Sequence, residues 1–325
     1  MPPGRRNGIY NSAALVLQVI IGNKACAYET ELVRFYTAIE KTKLARMKTI
    51  LVPTDFSPAS ENAMWFAADM ARNIGACVLL VHMYQLPVSA VSEVPMMMLN
   101  ADELRDECEV QLNALKERVE KTTLGSVPVF TQSRLGNTGI ELEDICDTLH
   151  PFAVVMGMHG KGGVETMVFG STTLNAMHHL RVPVMIIPAG SSFRPVLKIG
   201  LACDLKRVEA TMPGKEIRAV VKEFGAELHV LNVDKRFEHF APEGREQTTV
   251  LHTMLAGLDP RYHFIHKDNI EESLDDFAQR HQMDFLIVVP KKHGFPEGLF
   301  HKSCSKKLAE HAHVPVMAIH EPGMP

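Results

Sequence analysis

The sequence has no excess of positive charge, and this argues against one broad class of partner. Its 325 residues include 34 Lys and Arg against 38 Asp and Glu, a formal net charge of -4. A protein that grips a nucleic-acid backbone needs a basic surface to neutralise phosphates. We therefore expect no nucleic-acid partner.

Long apolar runs and closely spaced cysteines are also missing. The longest apolar run, 13–21, has nine residues and contains Gln18, whereas a membrane-spanning helix needs about 20. The six cysteines lie far apart, with no C-x-x-C pair. In a chain of this length, such cysteines are typical of reduced, buried thiols. We therefore expect a cytoplasmic protein with no membrane partner.

Common catalytic and metal-binding signatures are absent as well. The chain has no G-x-S-x-G elbow, no H-E-x-x-H and no cysteine beside an evident histidine partner. His263 and His266 lie three apart on a predicted strand, so they point to opposite faces. We interpret the histidines as solvated or helix-capping, and the sequence predicts neither a catalytic residue nor a metal site.

Residues 1–46 precede the first recognisable fold unit. Arg5, Arg6 and the apolar run imitate a secretion signal, but the run is short and the later cysteines do not resemble an oxidised framework. Met47 directly opens a strand-like run at 49–53. We interpret residues 1–46 as an N-terminal extension that is not native if translation begins at Met47.

The rest of the chain repeats one unit. V-P-V-M-I-I at 182–187 returns as V-P-V-M-A-I at 314–319, and Asp55 and Asp204 each follow the first strand of their unit. Several such matches in the same order indicate duplication. The predicted domains are 47–190 and 195–321.

Each unit alternates apolar strands with helical spacing. Strands are predicted at 49–53, 77–83, 127–131, 152–157 and 182–188, then at 196–202, 228–233, 262–266, 284–290 and 314–320. Helices are predicted at 57–74, 102–121, 138–149 and 171–180 of the first unit. Near-continuous apolar strands suit a parallel sheet that is buried on both faces. The predicted fold class is α/β, with two tandem doubly wound, five-stranded parallel-sheet domains of Rossmann-like type.

A glycine-rich loop follows the fourth strand of the first unit. M-G-M-H-G-K-G-G begins at Met156, and F-G-S-T then opens a helix. Glycines let the backbone approach a ligand, and helix N-termini attract anions. Open α/β sheets bind ligands at the carboxyl ends of their strands. The residues predict a phosphate-binding loop with Gly157, Gly160, Gly170 and Ser171, or, as the alternative, a glycine loop without a ligand.

The loop matches neither a P-loop nor a dinucleotide fingerprint. Its spacing, Gly157-x2-Gly160-x9-Gly170-Ser171, resembles the ATP-binding signature of the universal stress protein family. V-P-T-D-F-S at 52–57, L-V-H-M at 80–83 and V-P-V at 182–184 are similar to strands of that family. The resemblance covers about residues 47–320, as a tandem pair.

The resemblance implies an ATP site in the first domain. Asp55 would bond the nucleoside, Pro53 and Thr54 would shape that wall, and the Met83 backbone would meet the adenine edge. The implied ribose and phosphate ligands are Met156, Gly157, Gly160, Gly170, Ser171 and Thr172, with Lys161 near the phosphate tail and Mg²⁺ as a bridging ion. The residues alone leave Asp55 as a capping carboxylate, and Lys161 as a solvated charge, as alternatives.

The second unit departs from this signature. Aligning Val288-Val289 with Val154-Val155 places Lys291 at the position of Gly157, and His301-Lys302 replaces Gly170-Ser171. A side chain at a close-approach glycine blocks a ligand. We therefore expect the second domain to be structural or regulatory.

In the resembled family the last strand pairs two domains, so we expect an intrachain pseudo-dimer through 182–188 and 314–320, with a homodimer as a further form. The proline that opens each of these strands suits a sheet edge. The predicted function is that of an ATP-binding sensor or adaptor in the stress response, with at most weak ATP hydrolysis. The alternatives are a slow ATPase, an interaction module that binds no nucleotide, and an adenylating enzyme of the ATP-pyrophosphatase type. The last is disfavoured because the turn at 54–58 has no glycine.

Overall fold

The computed structural model of the chain describes residues 47–86, 101–160, 167–168, 171–233, 242–266, 269–290 and 313–321. The N-terminal extension predicted for residues 1–46 lies outside these ranges. No helix within them is both long enough and apolar enough to cross a membrane.

The first half follows the predicted alternation of strands and helices. Its elements are β1 (Thr49–Pro53), α1 (Pro58–Ile74), β2 (Cys77–Tyr84), α2 (Ala101–Thr122), β3 (Val129–Leu135), α3 (Thr138–Leu149), β4 (Ala153–Gly157), β5 (His159–Gly160), β6 (Met167–Val168), α4 (Ser171–His179) and β7 (Val184–Ile187). Local chemistry sets the ends of α1. The Ser57 side chain accepts from Ser60 N–H and Pro58 takes the first helical position, while Gly75 ends the helix at φ 65°.

The second half repeats this order. Its elements are β8 (Lys198–Ala202), α5 (Val208–Thr211), α6 (Gly214–Phe224), β9 (Glu227–Val233), α7 (Pro242–Met254), β10 (Arg261–Ile265), α8 (Ile270–Arg280), β11 (Phe285–Val288) and β12 (Val316–Ala318). The counterpart of α1 is divided into α5 and α6 at Met212-Pro213, since proline cannot donate a helical hydrogen bond.

The strands of both halves form one ten-stranded sheet in the order β10-β9-β8-β11-β12-β7-β4-β1-β2-β3. Within each half the first strand lies between the second and the fourth, and every pairing that this half contributes to the ten-stranded sheet is parallel. The α/β fold prediction is confirmed. The two five-stranded sheets, however, are continuous with each other.

The halves join through antiparallel pairing of β7 with β12, with Met185 opposite Met317. Each strand is the edge of its own half, as its proline suggests, and the two edges meet in the middle of the joined sheet. Pro183 and Pro315 directly precede the strands and use only their carbonyls. Pro183 O accepts from Val154 N–H at 2.8 Å, and Pro315 O accepts from Leu286 N–H at 3.0 Å. Neither of these hydrogen bonds uses the proline nitrogen, so the missing proline N–H does not interrupt them.

Candidate functional site

The turn after β1 lies at the carboxyl edge of the first half, where β1 is flanked by β2 and β4. The chain leaves β1 and β4 in opposite directions across the sheet at this point. Open α/β sheets form a ligand-binding crevice at such a switch point. Pro53 is the buried last residue of β1 and lies opposite Val81.

Thr54 fixes the start of this turn. Its N–H donates to Val81 O at 2.8 Å, which extends the β1–β2 pairing by one residue. Its hydroxyl lies 3.0 Å from Ser60 Oγ and also accepts from Phe56 N–H at 3.0 Å. Thr54 is only 6% exposed, so its side chain is packed inside the turn.

Asp55 stands exposed next to Thr54. One of its carboxylate oxygens accepts from Ser57 N–H at 3.1 Å, so the side chain closes a turn onto the residue that caps α1. Phe56 between them has φ 61°, a left-handed conformation that costs a bulky residue free energy. Asp55 is therefore a turn-closing carboxylate, and it also faces solvent at the switch point.

The second half builds the same turn from different residues. Lys206 N–H donates to Asp204 Oδ1 at 3.1 Å, and Leu205 has φ 52°. Cys203 takes the place of Thr54, with its sulfur accepting from Leu205 N–H at 3.3 Å. The clear difference is exposure, because Asp204 is only 5% exposed.

A side chain on the second strand of each half donates a hydrogen bond to a backbone carbonyl of this turn. The sequence pattern alone did not indicate this contact. His82 Nδ1 lies 2.7 Å from Thr54 O, so that nitrogen carries the proton and donates. In the second half, Asn232 Nδ2 donates to Cys203 O at 3.0 Å. Aligning the two halves at these strands would have revealed the pair.

We predict that His82→Leu destabilises the protein by about 1 kcal/mol, because the Thr54 carbonyl loses its donor. His82→Asn is expected to keep most of that stability, since Asn232 already makes the equivalent bond. Urea unfolding of the two variants beside the native protein measures the difference. Equal losses in both variants would show that the hydrogen bond is not what matters.

Gly157 ends β4 and has a steric reason to be glycine. A Cβ at this position would lie 2.0 Å from Ala59 O and 2.6 Å from Ala59 C, both backbone atoms in the first turn of α1. Gly157 has no positive φ, so close packing and not backbone conformation requires it. The packing brings the end of β4 against the helix that begins just after Asp55.

The register of the sheet corrects the alignment of the two halves. Val155 lies opposite Met185, and Ile287 lies opposite Met317 at the matching place in the junction. Val289 therefore corresponds to Gly157, and the assignment of Lys291 to that position is wrong by two residues. Val289 is 2% exposed. A buried valine thus occupies the position where the first half needs a glycine.

The rest of the predicted phosphate loop is described in part. Gly160 belongs to β5, which pairs antiparallel with β6 as a short hairpin, with Gly160 opposite Met167. Ser171 is the first residue of α4 and Thr172 the second. The predicted ligands Lys161 and Gly170, and the second-half residues His301 and Lys302, lie outside the described residues.

The two remaining predicted residues lie on neighbouring strands of the sheet. Met83 is half-buried near the end of β2, opposite Arg134. Met156 is buried in β4, opposite Ile186. Their strands flank β1, so the structure brings Met83, Met156, Thr54 and Gly157 to one edge of the sheet.

A cavity of about 580 Å³ opens beside Thr172, a volume within the usual range for small-molecule sites. Its walls come from the end of β2, the first turn of α3 and the length of α4. The lining residues are Gln85, Asn137, Thr138, Gly139, Thr172, Leu174, Asn175, His178 and His179. Most of these side chains are polar and uncharged, so the cavity suits a hydrogen-bonding ligand.

The sequence model of the universal stress protein family matches residues 47–188. That range begins two residues before β1 and ends just after β7, so it spans the half of the sheet that carries these residues. Residues 47–188 of this chain therefore form a universal stress protein domain.

Similar universal stress proteins align mainly with one half of the chain. One from Methanocaldococcus jannaschii is 24% identical over 141 residues, which cover 43% of this chain and 81% of that protein. One from Mycobacterium tuberculosis is 29% identical over 146 residues, which cover 42% of this chain and only 44% of the relative. The crystal structure of a universal stress protein from Archaeoglobus fulgidus shares the fold over 85% of this chain and 99% of its own, with 17% identity and a TM-score of 0.65.

The described part of the chain contains no cluster of three or more His, Cys, Asp or Glu residues that could hold a metal ion. Its four described cysteines are buried and form no disulfide. Burial raises the pKa of the Cys146 thiol to about 12, so this thiol stays protonated at neutral pH and is a poor nucleophile.

Proposed function

We propose that the first domain binds ATP at the carboxyl edge of β1 and β4, and that its occupancy makes the protein a nucleotide-dependent sensor or adaptor in the stress response. The contrast between two matched turns carries this proposal. Asp55 is exposed at the switch point of the first half, whereas Asp204 in the same turn is 5% exposed. A carboxylate that binds a ligand must be accessible to it, as Asp55 is and Asp204 is not.

The described residues fit an adenine nucleotide. Asp55 would accept hydrogen bonds from the ribose hydroxyls or the base, and the buried Thr54 and Pro53 would form the wall beside it. The first turn of α4, with Ser171 and Thr172, offers backbone N–H donors for phosphate oxygens. Mg²⁺ is proposed only as a companion of the phosphates.

The second half is proposed to have a structural or regulatory role without ATP. Val289 occupies the position of the close-packed Gly157, and the carboxylate of its turn is buried. Its last strand instead completes the sheet against β7. This pairing supports an intrachain pseudo-dimer, and the described cysteines, which are buried and form no disulfide, support a cytoplasmic location.

The test is to denature freshly purified protein and to quantify the released nucleotide, with Asp55→Ala and Asp204→Ala side by side. Both variants lose the same turn-closing hydrogen bond, so Asp204→Ala controls for the loss of that bond. We expect about one nucleotide per native chain, at least a tenfold loss of affinity in Asp55→Ala, and no loss in Asp204→Ala.

Other outcomes are equally informative. Two nucleotides per chain would contradict the one-site proposal. No nucleotide, together with no binding of added Mg-ATP, would favour an interaction module that uses the fold without this ligand. Release of phosphate from added ATP would identify slow hydrolysis.

A further inference from the structure

We propose that His229 and His263 form an acid-sensitive latch that holds β10, the outer strand of the second half, against β9. The inference does not depend on nucleotide binding. It rests on a direct contact between two imidazoles on neighbouring strands, 34 positions apart in the sequence.

The two rings lie on the sheet face that α8 covers. His229 Nδ1 is 2.9 Å from His263 Nε2, and the rings stack with 11° between their planes. His229 is only 5% exposed. From α8, the Phe277 ring packs 4.8 Å from the His263 ring, and the Phe277 and His281 rings stack at 4.0 Å. The earlier interpretation of His263 as a solvated histidine is therefore wrong.

The two nitrogens that face each other, His229 Nδ1 and His263 Nε2, can hold one proton between them but not two. A hydrogen bond between two imidazole nitrogens needs one N–H donor and one lone pair. The other nitrogen of His229, Nε2, lies 3.5 Å from Glu227 Oε2, which favours a proton there and leaves Nδ1 as the acceptor. His263 Nε2–H then donates. If both rings become imidazolium ions, two N–H groups and two positive charges face each other across 2.9 Å.

The surrounding charges do not remove this conflict. Lys198 on β8, Arg261 on β10 and His281 at the end of α8 are basic, and Glu227 on β9 is the acidic partner. Glu227 is half exposed and also pairs with Arg261 at 3.2 Å. One shared, exposed carboxylate is too weakly coupled to neutralise two imidazolium ions.

Acid therefore acts on the folded state in a defined direction. Burial is the main cause that lowers the pKa of both His229 and His263 from the ordinary value of 6.5. The open state binds protons more readily than the closed state, so the latch is intact above about pH 6.5 and weakens as the pH falls below it. Each excess proton bound on opening raises the opening equilibrium tenfold per pH unit.

The strand that the latch holds, β10, is one edge of the ten-stranded sheet. Among the described strands β10 pairs only with β9, and its Phe264 side chain is 44% exposed. Opening the latch would free the hydrogen-bonding edge of β9 together with this apolar side chain. Exposed strand edges are sites of association with other chains, so mild acid would create a new binding edge on the protein.

The experiment compares amide hydrogen exchange at the two edges of the sheet between pH 7.5 and pH 5.5, after correction for intrinsic exchange rates. β3, the opposite edge, has no such histidine pair and is the internal reference. In the native chain we expect the opening equilibrium of β10 to rise about tenfold relative to that of β3. An equal response of the two strands would overturn the proposal.

His263→Gln tests the cause, because a glutamine amide can donate to His229 Nδ1 but does not titrate. We expect this variant to lose the part of the pH response of β10 that needs His263 and to keep only that of the buried His229, while His252→Gln, which changes an exposed histidine on α7, keeps the full response. A full response in His263→Gln would refute the latch. If that variant fails to fold, NMR titration of the native protein decides. We expect the pair to take up its second proton well below pH 6.5, and independent titration of both histidines near 6.5 would refute the latch.

Discussion

Gly157→Ala is expected to destabilise the protein by about 3 kcal/mol, at the upper end of the range for overpacked sites. The added Cβ would lie 2.0 Å from Ala59 O. The atoms it would meet, Ala59 O and Ala59 C, belong to the backbone. No side-chain rotation can therefore relieve the clash, and β4 or α1 must shift. Because Asp55 lies just before α1, we also expect nucleotide affinity to fall.

Gly214→Ala is the matched control for this change. A Cβ at Gly214 meets the flexible Met254 side chain at 3.3 Å, and alanine is the better helix former. We expect its free energy of unfolding in urea to stay within about 0.5 kcal/mol of the native value. If Gly157→Ala unfolds at the same urea midpoint as this control, the result would contradict the steric clash between β4 and α1 as a cause of instability.

Asp275→Ala is expected to cost about 3 kcal/mol, because one buried carboxylate organises the entry to β12. Asp275 Oδ1 accepts from His313 N–H at 2.9 Å. Its other oxygen lies 2.8 Å from His313 Nδ1 and 2.7 Å from Gln279 Nε2. Hydrogen bonds to a charged group contribute about 1.5–3 kcal/mol each, and the variant leaves several donors without an acceptor.

The neighbouring residue supplies the control. Asp276 is more exposed and pairs with Arg280 at 3.3 Å on the surface of α8, so Asp276→Ala should cost less than about 0.5 kcal/mol. Urea unfolding of both variants measures the contrast. Since His313 precedes the strand that pairs with β7, a large loss in Asp275→Ala alone would show that this carboxylate supports the junction of the two halves.

The helix and strand pattern was predictable because it depends on neighbours in the sequence. The start of α1 was set by Ser57 and Pro58, and its end by Gly75. The predicted α3, at 138–149, coincides with the helix in the structure. The second copy differs from the first in its first helix, and the reason is again local. Pro213 divides this helix, which is continuous in the first copy.

The candidate site was predictable only as a set of residue types on successive turns. The spacing of Gly157, Gly160 and Ser171 indicated the loop, and Asp55 the turn. The sequence did not show that Gly157 contacts Ala59, or that His82 holds the Thr54 carbonyl. These contacts join residues tens of positions apart, and no local pattern specifies them.

By itself, the sequence determined that two copies of one α/β unit follow each other, because apolar periodicity and turn residues are written along the chain. Only the tertiary structure decided how the copies correspond. Loops of different length hid the register until the sheet aligned Val289 with Gly157. The antiparallel pairing of β7 with β12, and the meeting of His229 with His263, were likewise decided by hydrogen bonds and packing between distant segments.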